Sequence, residues 1–178
     1  MTEYLRTKGR VVSLEAALRP YERTKARLGG EVHHCLLEDF ASDEKFDSVI
    51  ATGVLEHVEK PDAFLQKVRT FMNGELILTV PNASSLHRQI GKKMGLLGDL
   101  QELSELDREV GHYRYYDASS LKQVLTENDF RVKSMTGILV KPVQFEFMER
   151  FSERYLEALY NLSDELPDLC AEVFVVAT

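Results

Sequence analysis

Cysteine is scarce in this chain of 178 residues, with Cys35 and Cys170 far apart and no Cys-x-x-Cys spacing. The pair reads as reduced core thiols rather than as a disulfide or a metal clip. Five prolines and ten glycines are too few for a collagen-like chain, and the composition excludes a disulfide-rich or largely disordered one. Positive charge is not in excess. Lys and Arg number 22 against 29 Asp and Glu, a formal charge of −7. Non-specific binding to nucleic acid or to an anionic membrane rewards a basic surface, so neither partner is expected. No apolar run approaches the ~20 residues that span a bilayer. The first ten residues lack the apolar core of a signal peptide, and a cytoplasmic protein is the expectation. What remains is 44% hydrophobic and 29% charged, ordinary for a single globular domain over residues 1–178. A domain of that size buries roughly 70% of its unfolded surface.

Strand and helix patterns alternate along the first half. Val11–Leu14 is a short apolar run ending at Glu15, residues 20–28 form a helix stopped by Gly29-Gly30, and Val32–Leu37 is a second strand before Glu38-Asp39. Phe46–Val54 is a third strand, with Val49, Ile50 and Ala51 as a buried run. Pro61 opens a helix through Phe71 that carries Phe64, Leu65, Val68 and Phe71 at helical spacing, and Asn73-Gly74 closes it. Leu76–Val80 is a fourth strand, ended by Pro81-Asn82. Such alternation predicts an α/β fold with a mostly parallel sheet. Ligands of open α/β sheets gather at the carboxyl ends of the strands, which here carry Glu15, Asp39, Thr52-Gly53 and Pro81-Asn82. The second half is less regular. A helical insertion is expected at about 83–110, then a helix over Ser119–Asn128, a strand over Val132–Val140, an amphipathic helix over Phe145–Leu162 and a last strand at Val173–Val176.

The segment Phe46-Asp47-Ser48-Val49-Ile50-Ala51-Thr52-Gly53-Val54-Leu55-Glu56-His57-Val58 resembles the fourth strand and Leu-Glu-His-Val segment of the class I S-adenosylmethionine-dependent methyltransferases, in their small-molecule branch. Pro61–Gly74 and the Thr-Val-Pro-Asn ending at Asn82 continue the resemblance in order. Gly111-His112-Tyr113-Arg114-Tyr115-Tyr116 resembles that family's later His-x-Arg-x-Tyr segment. The resemblance implies a Rossmann-like sheet, S-adenosyl-L-methionine as cofactor and a small-molecule or sugar-type acceptor. It implies that Glu15 accepts hydrogen bonds from both ribose hydroxyls, as a carboxylate can. Asp39 would lie near the adenine amino group, Phe40 against the ring, and Thr52 and Gly53 beside the methionine portion.

One part of the family pattern is missing. The family opens with a strand and an Asp-x-Gly-x-Gly loop whose backbone must approach the cofactor, which only glycine permits. This sequence has no such loop, and Thr2–Gly9 resembles the helix that follows it. The resemblance thus implies an N-terminally shortened form with impaired cofactor binding. The missing strand lies mid-sheet in the family, so its loss uncovers two strand edges and opens a route to a homodimer. The alternative is a non-catalytic methyltransferase-like binding or scaffold module.

Methyl transfer needs a positioned donor and acceptor, and often a base for the acceptor's proton. His57 and His112 are the candidates, because imidazole titrates near neutral pH. Glu56, Asn82 and Arg114 are the candidate acceptor-binding residues. Some relatives bind a divalent cation through Glu-His and an acid three positions earlier. Gly53 stands at that position, so no metal is expected. His33-His34 on a strand face opposite sides and make a poor chelate. His87-Arg88 with Lys92-Lys93 reads as a solvated helical face, and a nicotinamide site is disfavoured by the absence of Gly-x-Gly-x-x-Gly.

Overall fold

The computed structural model describes residues 2–178. The chain divides into two compact units, residues 1–44 and 45–178. The first holds α1 (Thr2–Arg6), β1 (Ser13–Glu15), α2 (Leu18–Leu28) and β2 (Val32–His34). β1 and β2 pair in parallel, Ser13 opposite Val32 and Glu15 opposite His34. α2 stops at Gly29, whose φ of 58° suits a residue without a side chain. Arg6 donates to the Leu28 carbonyl, and Arg10 holds Glu31 at 2.8 Å and Glu44 at 2.6 Å, all on the surface. The expected strand Val32–Leu37 ends early at His34. Residues 37–39 turn instead, with the Asp39 amide donating to the Leu36 carbonyl at 3.2 Å.

The second unit is built on a four-stranded sheet in the order β3-β4-β6-β5. Its strands are β3 (Phe46–Thr52), β4 (Met72–Pro81), β5 (Val132–Val140) and β6 (Cys170–Ala177). β3 runs parallel to β4, while β6 runs antiparallel to both β4 and β5. Three strands therefore share one direction, and the fold is α/β with a mostly parallel, Rossmann-like sheet. α3 (Pro61–Phe71) connects β3 to β4 and buries Phe64, Leu65, Val68 and Phe71. α6 (Ala118–Glu127), opened by an Asp117–Ser120 capping box, buries Leu121 and Leu125. The two helices are pinned together by buried Asn128. Its Nδ2 donates to Asp62 Oδ1 at 2.7 Å, and its Oδ1 accepts from Gln66 Nε2 at 3.2 Å. Leu76, Leu78, Val80, Val173 and Val175 fill the sheet side of this core.

Several sequence expectations need correction. Asn73-Gly74 does not stop α3; the chain turns extended at Met72, and both residues lie inside β4. A side chain at position 74 would collide with the Asp47 backbone, so glycine there lets β3 and β4 approach. The run Val49-Ile50-Ala51 is not uniformly buried, because β3 is an edge strand and leaves Ile50 36% exposed. The helix expected over Phe145–Leu162 breaks into α7 (Phe145–Met148) and α8 (Glu153–Asn161), with Ser152 capping the second through the Tyr155 amide. Residues 83–110 hold α4 (Leu86–Lys93) and α5 (Glu105–Glu109). Arg88 is not on a solvated face. It is 5% exposed, with its guanidinium carbon 3.7 Å from the Tyr115 ring centroid. Both cysteines are free, and among the described residues no helix is long and apolar enough to cross a membrane.

Candidate active site

The carboxyl ends of β3 and β4 open into a cavity of about 250 Å³ lined by Thr52, Gly53, Glu56, Thr79, Pro81 and Glu172. β3 delivers Thr52, and Gly53 follows with φ 62°, a left-handed conformation that turns the chain sharply into Leu55–His57. That short 3-10 turn buries Leu55 completely and leaves Glu56 only 2% exposed. Glu56 Oε2 is buried with no hydrogen-bond partner. Burial pushes the Glu56 carboxyl up and the charge of Glu172 adds to this, against its own backbone amide and His57.

Glu172 escaped the sequence reading. It is the one charged residue inside the apolar strand Cys170–Ala177, opposite Pro81, and a lone charge in such a run was the signal available. Asn82, just past the end of β4, is fully engaged. Its Nδ2 donates to the Asp168 and Cys170 carbonyls at 2.9 Å each, and its Oδ1 accepts from the Ser84 amide at 2.9 Å. It thereby fixes where β6 begins and so where Glu172 stands.

Residues 111–116 lie against the Glu56 turn. The Tyr113 amide donates to the Glu56 carbonyl at 2.8 Å, and the Ala83 amide donates to the Tyr116 carbonyl at 2.7 Å. This brings His112 to His57, ring centroids 4.6 Å apart at 73°. His57 Nδ1 lies 3.2 Å from the Gly111 carbonyl. Burial pulls the His112 imidazole below its usual range, and nearby His57 adds to this while Asp107 opposes it. Arg114 Nη2 donates to the Glu59 carbonyl at 2.8 Å, and its guanidinium also stands by the buried Tyr116 hydroxyl. Burial without a partner is costly, so the unpaired Glu56 oxygen beside the cavity is a place where a ligand atom fits. The sequence candidates Glu56, His57, His112 and Arg114 thus come from two segments 55 residues apart and meet in one place.

Behind them lies a buried ionic group. Burial would raise the Asp107 carboxyl, but Ser104, the Tyr115 hydroxyl and Arg88 outweigh it and hold it low. The Tyr115 hydroxyl donates to Asp107 Oδ1 at 2.8 Å, and burial together with that bond pushes Tyr115 up to about 12. Next to Arg88, burial pulls His87 down to about 4, with Lys141 and Arg88 adding and Asp107 opposing. The unfolded imidazole takes its proton near pH 6.5, the folded one only near 4. Between those values the unfolded chain binds more protons, so stability falls as pH drops through that window. After allowance for solvent screening the loss is on the order of 2 kcal/mol. Thermal melts between pH 7 and 4.5 should show His87→Gln losing part of that pH dependence; slopes identical to the parent's would contradict it.

In the first unit, Glu15 ends β1, half-buried, with Oε1 3.4 Å from the Ala17 amide. Asp39 is exposed in its turn, and the Phe40 ring lies edge-on to His33 at 5.4 Å.

Comparison with known proteins fits this arrangement. The profile of a family described as a methyltransferase domain matches residues 5–135. The chain belongs to the class I S-adenosylmethionine-dependent methyltransferases. Its cofactor is S-adenosylmethionine. No curated protein matches the chain in sequence. Solved methyltransferase structures share its fold at low identity. An S-adenosylmethionine-dependent methyltransferase from Mesorhizobium loti superposes with a TM-score of 0.68 at 12% identity, covering 99% of this chain and 84% of that one. A possible histamine N-methyltransferase from Thermotoga maritima gives 0.64 at 18% identity, covering 98% and 74%. The 1,6-didemethyltoxoflavin-N1-methyltransferase of Burkholderia thailandensis, solved with 1,6-didemethyltoxoflavin and S-adenosylhomocysteine, gives 0.62 at 12% identity, covering 99% and 64%.

Proposed function

We propose that this methyltransferase acts on a small-molecule or sugar-type acceptor held beside Glu56, with the acceptor's proton handled by the His57–His112 pair. The observation that carries this reading is the buried, unpaired Glu56 Oε2 at the cavity, with His57, His112 and Arg114 gathered beside its turn. A hydroxyl or amine donating to Glu56 Oε2 would satisfy it. Arg114 then meets an acceptor oxygen, and Asn82 keeps the cavity wall in register. The methyl group moves in line from the sulfonium sulfur to the acceptor atom, and a neutral imidazole takes the displaced proton.

Thr52 and Gly53 border the methionine portion of the cofactor. Glu15 takes the ribose hydroxyls, Asp39 the adenine amino group and Phe40 the ring face; these three roles rest on the family resemblance. The sequence holds no Asp-x-Gly-x-Gly loop, so these 178 residues bind the cofactor weakly. The reading is tested with millimolar methyl-labelled S-adenosylmethionine and a panel of hydroxylated, amine and sugar acceptors. Slow transfer is expected, rising with cofactor without saturating at micromolar levels and reduced at least about tenfold by Glu56→Gln. No transfer to any acceptor would favour the non-catalytic module.

A further inference from the structure

We infer that Glu56, His57 and His112 form a binding site for a divalent transition-metal cation. They are the one group of three such side chains among the described residues that can offer ligand atoms to a single ion, all within 4.8 Å of one another. A carboxylate with two imidazoles is a donor set that suits Zn²⁺, Co²⁺, Fe²⁺ or Mn²⁺ and leaves further coordination positions open.

Three independent features point to an ion rather than to mutual packing. Glu56 is 2% exposed, yet its Oε2 has no partner, an arrangement that a cation would satisfy. His57 Nδ1 sits 3.2 Å from the Gly111 carbonyl. A metal-bound histidine typically donates its other ring N–H to a carbonyl or carboxylate, which here leaves Nε2 to bind. On His112, Nδ1 makes no hydrogen bond but faces Asp107 Oδ1 at 3.5 Å, a carboxylate within reach of the same supporting role. Asp107 is itself held by the Ser104 hydroxyl at 2.7 Å and the Tyr115 hydroxyl at 2.8 Å, so the supporting shell is rigid. His57 is exposed, which gives an ion a way in. Ligand atoms around such an ion stand about 3–3.5 Å apart, given bond lengths near 2.0–2.2 Å, so occupancy draws the three side chains together by small rotations.

Gly53 offers no ligand from the end of β3. His112, 55 residues beyond His57, supplies the missing third ligand. The consequence for the acceptor rests on the reading above. An ion on Glu56, His57 and His112 would take over the acidifying role that the two imidazoles have in the metal-free site, and would favour an oxygen acceptor. A bound ion would supply Lewis acidity to an acceptor hydroxyl at the open position, and water would take its proton.

The site is tested without any activity measurement. The purified, metal-stripped chain is titrated with Co²⁺, followed by visible absorption, and with Zn²⁺ by calorimetry. One saturable ion per chain is expected. Affinity should fall at least tenfold in each of Glu56→Gln, His57→Ala and His112→Ala, and should be unchanged in His34→Ala, which alters an exposed histidine of the other unit. Glu56→Gln keeps the side-chain shape, so its loss of binding does not reflect misfolding, and circular dichroism of all variants checks this. Absence of saturable binding, or binding that survives the three substitutions, overturns the inference. Either result leaves the methyltransferase reading to its own assay.

Discussion

Replacing Gly137 by alanine is expected to lower the melting temperature by roughly 10 °C. Gly137 lies in β5 opposite Val173 of β6. A methyl group there would overlap the backbone carbonyl of Pro167 and fall within bonding-like distance of the Cys170 side chain. A flexible side-chain tip could move away, but a backbone oxygen and a fully buried cysteine cannot. Overpacking costs about 1–3 kcal/mol in an ordinary core and more where backbone is the obstacle. The only relief is to lift the 167–170 segment off β5. That displaces the start of β6, where Asn82 holds the Asp168 and Cys170 carbonyls and where Glu172 enters the cavity. Loss of stability and loss of transfer should therefore appear together. A Gly137→Ala protein that melts within about 2 °C of the parent would show that this junction has slack the structure does not display.

Arg88→Ala is expected to cost on the order of 3–5 kcal/mol, because it breaks a buried ionic group rather than a surface pair. Arg88 Nε donates to the Leu100 carbonyl at 2.8 Å and Nη2 to the Glu102 carbonyl at 2.6 Å. Its plane lies over the Tyr115 ring, and Nη1 is 3.9 Å from Asp107 Oδ2. Removing it leaves two carbonyls unpaired, a void beside Tyr115 and a buried carboxylate with less compensation. This side chain ties the carbonyls of Leu100 and Glu102 to α4, so limited proteolysis should cut near them first, and chemical denaturation should measure the destabilisation. Arg88→Lys should rescue little, since an ammonium cannot make the same fork or stack on the ring. Unchanged protease resistance in Arg88→Ala would contradict the tether.

How much of this was readable beforehand depended on the range of the interaction. Pro61–Phe71 was legible because a first-turn proline and four apolar residues at helical spacing are local signals, and the observed helix has those bounds. Glu56 and His57 were singled out by the resemblance of their Leu-Glu-His-Val segment, whereas the 3-10 turn that buries Glu56 was not foreseen. Gly74 misled because Asn-Gly usually ends a helix, whereas here the deciding contact is with Asp47, 27 residues away. Ile50 misled because burial of a strand depends on having neighbours on both sides, which its own sequence cannot report. Arg88 read as solvated since its partners at 100, 102, 107 and 115 belong to later segments. The approach of His112 to His57 and the placing of Glu172 opposite Pro81 are likewise products of tertiary pairing.

S-adenosylmethionine is expected to bind at the carboxyl ends of β3 and β4. Titrating isotopically labelled chain with S-adenosylhomocysteine, while following backbone amide resonances, reports location even when affinity is low. Progressive shifts concentrated at Thr52 and Gly53, approaching saturation only at high ligand, are the predicted result. Spectra in which those amides stay fixed at millimolar ligand would contradict it.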